Sequence, residues 1–151
     1  MRLATIIATL VAATTGIAIA WAQIEPVSYE IVDGGIPDPL TDEPGDRFRG
    51  ELIARNAANA SCLICHRMPI PDEPNPGNIG PGLAGVGARY TAAELRLRLV
   101  DPKIINPATV MPAYYSLRNL NQVEAQYVGQ TIYSAQDIED VVAFLLTLTE
   151  P

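Results

Sequence analysis

Apolar positions in the last part of the chain recur at helical spacing. Ile138, Val141, Val142, Leu145, Leu146 and Leu148 fall three and four residues apart and make one stripe. Ser134 and Asp137 stand ahead of the stripe as a capping box, and the acids Asp137, Glu139 and Asp140 suit the positive start of a helix. This pattern predicts a C-terminal helix. A second helix opens on Thr91-Ala92-Ala93-Glu94, another capping box, and runs through Leu95 and Leu99. It must stop at Asp101-Pro102, because a proline ring crowds helical geometry in the residue before it. A third follows Asp46, which can cap RFRGELIARNAANA (residues 47–60). In it Phe48 and Leu52 lie one turn apart and predict the apolar side. Gly50 in mid-helix costs about 1 kcal/mol against Ala, which implies a neighbouring helix passing close by.

Between these helices the pattern breaks down into Pro- and Gly-rich loops, MPIPDEPNPGNIGPGLAGVG and KIINPATVMPAYYS, and residues 123–133 around Gly129 suggest a short hairpin. Ahead of the first helix, residues 23–46 contain Pro26, Pro37, Pro39 and Pro44 with Gly34, Gly35 and Gly45, which predicts an extended N-terminal arm. Composition makes that arm either a solvated tail or a strap over a partner. Residues 1–22 have the layout of a secretory signal peptide: Arg2, an apolar run, and Ala20-Trp21-Ala22 as a small-x-small cleavage site before Gln23. A retained membrane anchor is the alternative for that run; cleavage leaves no membrane attachment and implies the periplasm if the source is a bacterium. The expected fold is therefore all-α, a small domain over residues 47–151 with unusually long loops. Loops of that length leave too little packed chain for a core, so something else must fill the middle.

Charge narrows the partners. The chain has 10 basic and 17 acidic residues, a formal net charge of −7. Seven of the acids (Glu25, Glu30, Asp33, Asp38, Asp42, Glu43, Asp46) lie in the arm, which has no base. Lys103 is the single lysine, so a phosphate-binding patch is absent and nucleic acid is excluded as a partner.

The candidate for the filling is Cys62-Leu63-Ile64-Cys65-His66, which holds both cysteines and the only histidine of the chain. C-x-x-C-H is the attachment site of haem c. Cysteines three apart lie on one side of a helical turn, so both sulfurs can form thioethers with the vinyl groups of one haem, and His66 can then donate its nitrogen to iron. Three alternatives compete. A redox C-x-x-C needs a βαβ setting that the pattern does not provide. A Cys62–Cys65 disulfide closes too short a loop to stabilise much. Zinc wants four ligands, and these residues supply three.

A second iron ligand has few sources. Met68 lies two residues beyond His66, and two residues span at most about 7 Å, too little to pass round a haem. Met111 remains, in NPATVMPAYY, where Pro107 and Pro112 stiffen a loop able to present its sulfur. The alternative is an open iron site with Met111 merely nearby.

With these residues in hand the chain resembles the class I cytochromes c: helix, C-x-x-C-H, Pro loop, helix, Met loop, and a C-terminal helix crossing the first near Gly50. More narrowly, PLTDEPGDRFRGELIARNAANASCLICH, GPGLAGVGARYTAAELRLRLVDP, NPATVMPAYY and SAQDIEDVVAFLLTL resemble the SoxX family, the monohaem subunit of the SoxAX cytochrome of thiosulfate oxidation. The likeness covers about residues 39–149. It implies one covalent haem c held by Cys62 and Cys65, with His66 and Met111 on the iron. It also implies that the Pro81 carbonyl accepts the other ring N–H of His66 and that Leu83 packs on the ring. Functionally it implies the non-catalytic electron-transfer subunit of L-cysteine S-thiosulfotransferase, paired with SoxA. Such a subunit takes electrons when thiosulfate is joined to the carrier SoxYZ and passes them to a soluble cytochrome c. A free class I electron carrier of a respiratory or photosynthetic chain is the rival reading, though one lysine cannot make the basic docking ring of mitochondrial-type carriers.

Overall fold

The computed structural model describes residues 26–73 and 75–150. The signal-peptide reading of residues 1–22 and the first three residues of the arm lie outside them. Four α-helices carry the fold: α1 (Arg47–Arg55), α2 (Val86–Arg89), α3 (Ala92–Val100) and α4 (Ala135–Thr147). Three short 3₁₀ turns occupy Cys62–Ile64, Pro102–Ile104 and Ala125–Tyr127. Both predicted capping boxes form, Thr91 with Glu94 on α3 and Ser134 with Asp137 on α4. Asp46 caps α1 by accepting from the amides of Phe48 (2.8 Å) and Arg49 (3.2 Å).

Helix α1 ends at Arg55, earlier than the sequence pattern suggests. Asn56 adopts an extended conformation there, its carboxamide oxygen accepting from Ala58 N at 3.1 Å and its carbonyl from Asn59 N at 3.0 Å. A side chain that satisfies the backbone locally in this way competes with the next helical turn. The expected apolar side of α1 is also corrected: Phe48 is 64% and Leu52 70% exposed, while Gly50 and Ala54 are the buried face. Proximity to α4 explains the reversal. A Cβ on Gly50 would overlap the Asp140 carbonyl oxygen and lie 2.9 Å from Phe144 Cβ, so only small residues can face the crossing. Residues 123–133 form no hairpin; they turn through Ala125–Tyr127, with no strand partner for the register to lock onto.

Helix α4 is the central element, with Ile138, Val141, Val142, Phe144 and Leu145 buried on it. Glu139 and Asp140, two of the helix-start acids, are buried too. Glu139 takes both forks of Arg96 from α3, Nε at 2.7 Å and Nη2 at 2.9 Å. Asp140 accepts from Arg49 Nε (2.7 Å), Asp46 N (2.7 Å) and Gln136 Nε2 (3.0 Å). Burial alone would raise the Asp140 pKa, but these hydrogen bonds from Arg49, Asp46 and Gln136 together hold it below the ordinary carboxylate value. The link therefore stabilises the fold at neutral pH and is lost as the pH falls through that lowered value.

The arm is laid on this frame instead of trailing as a solvated tail. Asp33 and Gly34, both at positive φ, make a tight turn in which Val32 and Gly35 exchange backbone hydrogen bonds. Ile36 and Leu40 are then buried in the core, each worth roughly 1.5–3 kcal/mol of burial. Ile36 N donates to Ala93 O at 3.0 Å and Leu40 N to Glu139 Oε1 at 2.9 Å, while Arg96 Nη1 donates to the Ile36 carbonyl.

Two outcomes test this frame. Gly50→Ala raises helix propensity by about 1 kcal/mol, yet the overlap with α4 is expected to dominate and destabilise the protein by roughly 1–3 kcal/mol in denaturant melts. Glu139→Leu, which leaves Arg96 buried and unpaired, is expected to cost about 3–5 kcal/mol, and adding Arg96→Met should recover most of it.

Candidate functional site

The residues 62–66 begin on a cap. Ser61 is buried, donates its hydroxyl to Ala54 O at 2.7 Å and accepts from Leu63 N at 3.2 Å, which ties the turn to the end of α1. His66 N and Cys65 N both return to the Cys62 carbonyl, at 2.8 and 3.1 Å. That turn puts Cys62, Cys65 and His66 on the wall of one cavity. The two cysteines form no disulfide.

The Pro-rich loop runs back along this turn through three backbone bonds: Gly77 N to Leu63 O (2.7 Å), Gly80 N to Cys65 O (2.8 Å) and Leu83 N to Arg67 O (2.8 Å). Its register brings the Pro81 carbonyl oxygen to 2.7 Å from His66 Nδ1. A carbonyl can only accept, so Nδ1 carries a proton, and in the neutral ring this leaves the lone pair on Nε2. Gly80 packs directly against the same imidazole, and a Cβ there would lie 2.6 Å from Nδ1. No larger residue fits without turning the ring.

The cavity measures about 710 Å³, within the range of roughly 300–1,000 Å³ usual for cofactor sites. Besides Cys62, Cys65 and His66 it is walled by Pro81 and Leu83 from the Pro loop, and by Met111 from the loop after α3. Met68 does not line it; that side chain is buried in the core. Helix α3 contributes Leu95, Leu99 and Arg98, the last lying 3.9 Å over the Tyr90 ring. Tyr114 closes another side and stacks on Tyr133 at 4.6 Å between centroids. Burial pushes the phenol pKa of both tyrosines up. The sequence reading missed Tyr114 and the Arg98–Tyr90 contact. Leu95 and Leu99 did show in it as a helical pair, without a sign that they face a cavity rather than a core.

The chemistry of the donor set separates the alternatives. Burial pushes the Cys62 thiol up to about 11, so it is a weak source of thiolate for disulfide exchange or metal binding. Among the described residues no group of three or more His, Cys, Asp or Glu side chains is arranged to hold a metal ion. A flat macrocycle tethered at Cys62 and Cys65, with one nitrogen and one thioether donor on its surroundings and apolar walls elsewhere, fits the residues present.

Comparison with known proteins agrees with that chemistry. The family model for cytochrome c matches residues 52–149. The crystal structure of SoxXA from P. pantotrophus contains a chain that superimposes with a TM-score of 0.75 at 36% sequence identity, covering 83% of this chain and 97% of that one. No curated protein sequence matches significantly. Spanning a cytochrome c domain over most of its length and sharing more than a third of its residues with a chain of that complex, this chain belongs to the cytochrome c family as a SoxX-like cytochrome, which implies a covalently bound haem c.

Proposed function

We propose that the chain is the electron-transfer subunit of a thiosulfate-oxidising SoxAX complex, an L-cysteine S-thiosulfotransferase, with one haem c and SoxA as its partner. The observation that carries the reading is the single cavity that collects Cys62, Cys65, His66 and Met111. Bound there, haem c would supply a one-electron iron couple. Cys62 and Cys65 tether it as thioethers. His66, oriented by the Pro81 carbonyl, and Met111 are the two iron ligands, and Leu83 packs on the ring. A thioether ligand raises the reduction potential relative to bis-histidine or thiolate haems, which suits a subunit that receives electrons from SoxA and hands them to a soluble cytochrome c.

The non-catalytic role is supported by the tasks the proposed haem would assign to these residues. Sulfur transfer to SoxYZ needs a free nucleophile or an open metal position. With haem c bound, both cysteines would be consumed as tethers, and His66 and Met111 would hold the iron. The buried carboxylates Glu139 and Asp140 are each paired with an arginine and serve the fold. We place the subunit in the periplasm, delivered by residues 1–22 and freed from the membrane on their removal. Among the described residues no helix is long and apolar enough to cross a membrane.

Haem attachment and ligation are tested together. Replacing both Cys62 and Cys65 by Ala should leave a chain from which acid acetone extracts all haem. In the ferric protein, Met111→Ala should lose the weak long-wavelength band of thioether-bound iron. Met68→Ala should keep that band while losing about 2–5 kcal/mol of stability, as befits a buried methionine. Retention of the band in Met111→Ala would assign the ligand elsewhere.

The assignment to a complex is tested by reconstitution. The purified holoprotein should exchange electrons with small mediators yet show no coupling of thiosulfate to the carrier cysteine until SoxA is added. A transferase rate from the isolated chain equal to that of the mixture would reverse this reading, and full electron transfer with no binding to SoxA would favour a free carrier.

A further inference from the structure

The loop that presents Met111 is closed at its neck by residues that do not line the cavity. It leaves α3 at Asp101 and comes back at Arg118, whose guanidinium reaches Asp101 Oδ2 from Nη2 at 2.9 Å and from Nε at 3.3 Å. Just inside, Tyr114 N donates to Leu99 O (3.0 Å) and Tyr115 N to Val100 O (3.4 Å). The arm covers the neck from outside. The Val27 amide donates to the Tyr115 hydroxyl at 2.8 Å, and Tyr29, partly buried against the core, sits in the field of Arg118, Asp101 and Tyr115. Asp101, Tyr115, Arg118, Val27 and Tyr29 are all absent from the cavity wall, so any influence on a bound group passes through the loop.

Two features give this neck leverage. The Asp101 side chain is only 5% exposed, and among the described residues Arg118 is its sole hydrogen-bond donor. A carboxylate in that position without its partner is stabilised by water, and water reaches it when the neck parts. Among the described residues, Tyr115 is the one side chain of the loop hydrogen-bonded to the arm, 88 residues away in sequence. Arm and loop are thus joined at the place where the loop would hinge.

We propose that the Asp101–Arg118 pair and the Val27–Tyr115 bond, covered by Tyr29, form a latch that positions Met111 and sets how often its sulfur leaves the iron. The inference rests on Met111 being the iron ligand. In this role the arm is an intramolecular strap, and its first described residues act on the redox site without touching it. Arg118 and Tyr115 are positioning residues.

Exogenous imidazole reads the latch directly. When imidazole replaces the sulfur, one iron–sulfur bond breaks and one iron–nitrogen bond forms with no change of oxidation state. At high imidazole the rate on the full-length ferric holoprotein is limited by the opening of the loop. Tyr115→Phe is expected to raise that limiting rate about 2- to 10-fold, the factor set by one lost hydrogen bond, and Arg118→Gln, which gives up the charge pair and both guanidinium bonds to Asp101, by at least as much. Arg118→Lys, which can still pair with Asp101, is expected to restore it. Glu73→Gln, whose carboxylate pairs with Arg55 and with no residue of the neck, should leave it unchanged. Thermal melts followed by circular dichroism supply the contrast: lowered melting temperatures with limiting rates equal to those of the unmodified protein would mean a purely structural role and overturn the latch. Absence of the thioether band from the unmodified ferric protein would instead remove the Met111 ligand on which the latch depends.

Discussion

Two adjacent carboxylates on α4, Glu139 and Asp140, hold the rest of the molecule in register. They point to different sides of the helix, so Glu139 gathers α3 and the arm through Arg96 and Leu40 N, while Asp140 gathers the start of α1 through Arg49 and Asp46 N. Each carboxylate has several donors. That matters because a buried charge is tolerated only when its hydrogen-bonding capacity is filled, and among the described residues no buried side-chain polar atom is left without a partner. Such links contribute less to net stability than to specificity: they fix which residues meet, in a chain whose loops are too long to specify their own paths.

The close crossing of α1 over α4 follows from the same contacts. Asp140 binds the backbone at the entry of α1, and Gly50 lets the helix settle against the Asp140 carbonyl. The crossing sets where α1 ends, Ser61 ties that end to the following turn, and the turn places Cys62, Cys65 and His66. A chain of short, directional contacts therefore runs from the helical frame to the cavity. The opposite wall is built differently, from α3 side chains and from a loop that contains Met111 and is anchored at its neck. One side of the site is held by backbone register; the other is held by a loop anchored at its neck. In the proposed electron-transfer role this asymmetry is useful, since the histidine side is held by backbone register while the strength of a Met111 ligand would be adjusted from the other side.

The apolar walls serve the same purpose. Leu83, Leu95 and Leu99 give the cavity apolar walls, and apolar walls limit the solvent reorganisation that accompanies a change of charge. Polar groups on the wall are held in place, among them His66 on Pro81 O, Arg98 over Tyr90 and Arg89 on Ala84 O.

Local rules were enough to read much of this from the chain. Helix caps at Thr91 and Ser134 depend on a side chain bonding to a backbone three residues away, and Cys62-Leu63-Ile64-Cys65-His66 is a chemical unit complete in five residues; both are written wholly within the sequence. The need for small size at Gly50 was legible for a similar reason, because glycine in mid-helix is costly unless something close demands it. What sequence could not decide was the direction of faces and the destination of the arm. Phe48 and Leu52 look like a buried pair by spacing, yet the backbone contact at Gly50 turns them to solvent. Glu139 and Asp140 read only as helix-start acids until Arg96 and Arg49, more than forty and ninety residues away, are brought against them. The acidic, proline-rich composition of the arm favoured a solvated tail, because composition counts charges and cannot see that Ile36 and Leu40 fall into one pocket of the core. Periodicity and capping act over a single turn of chain, whereas burial and ion pairing depend on which distant segments meet, and only the tertiary structure settles that.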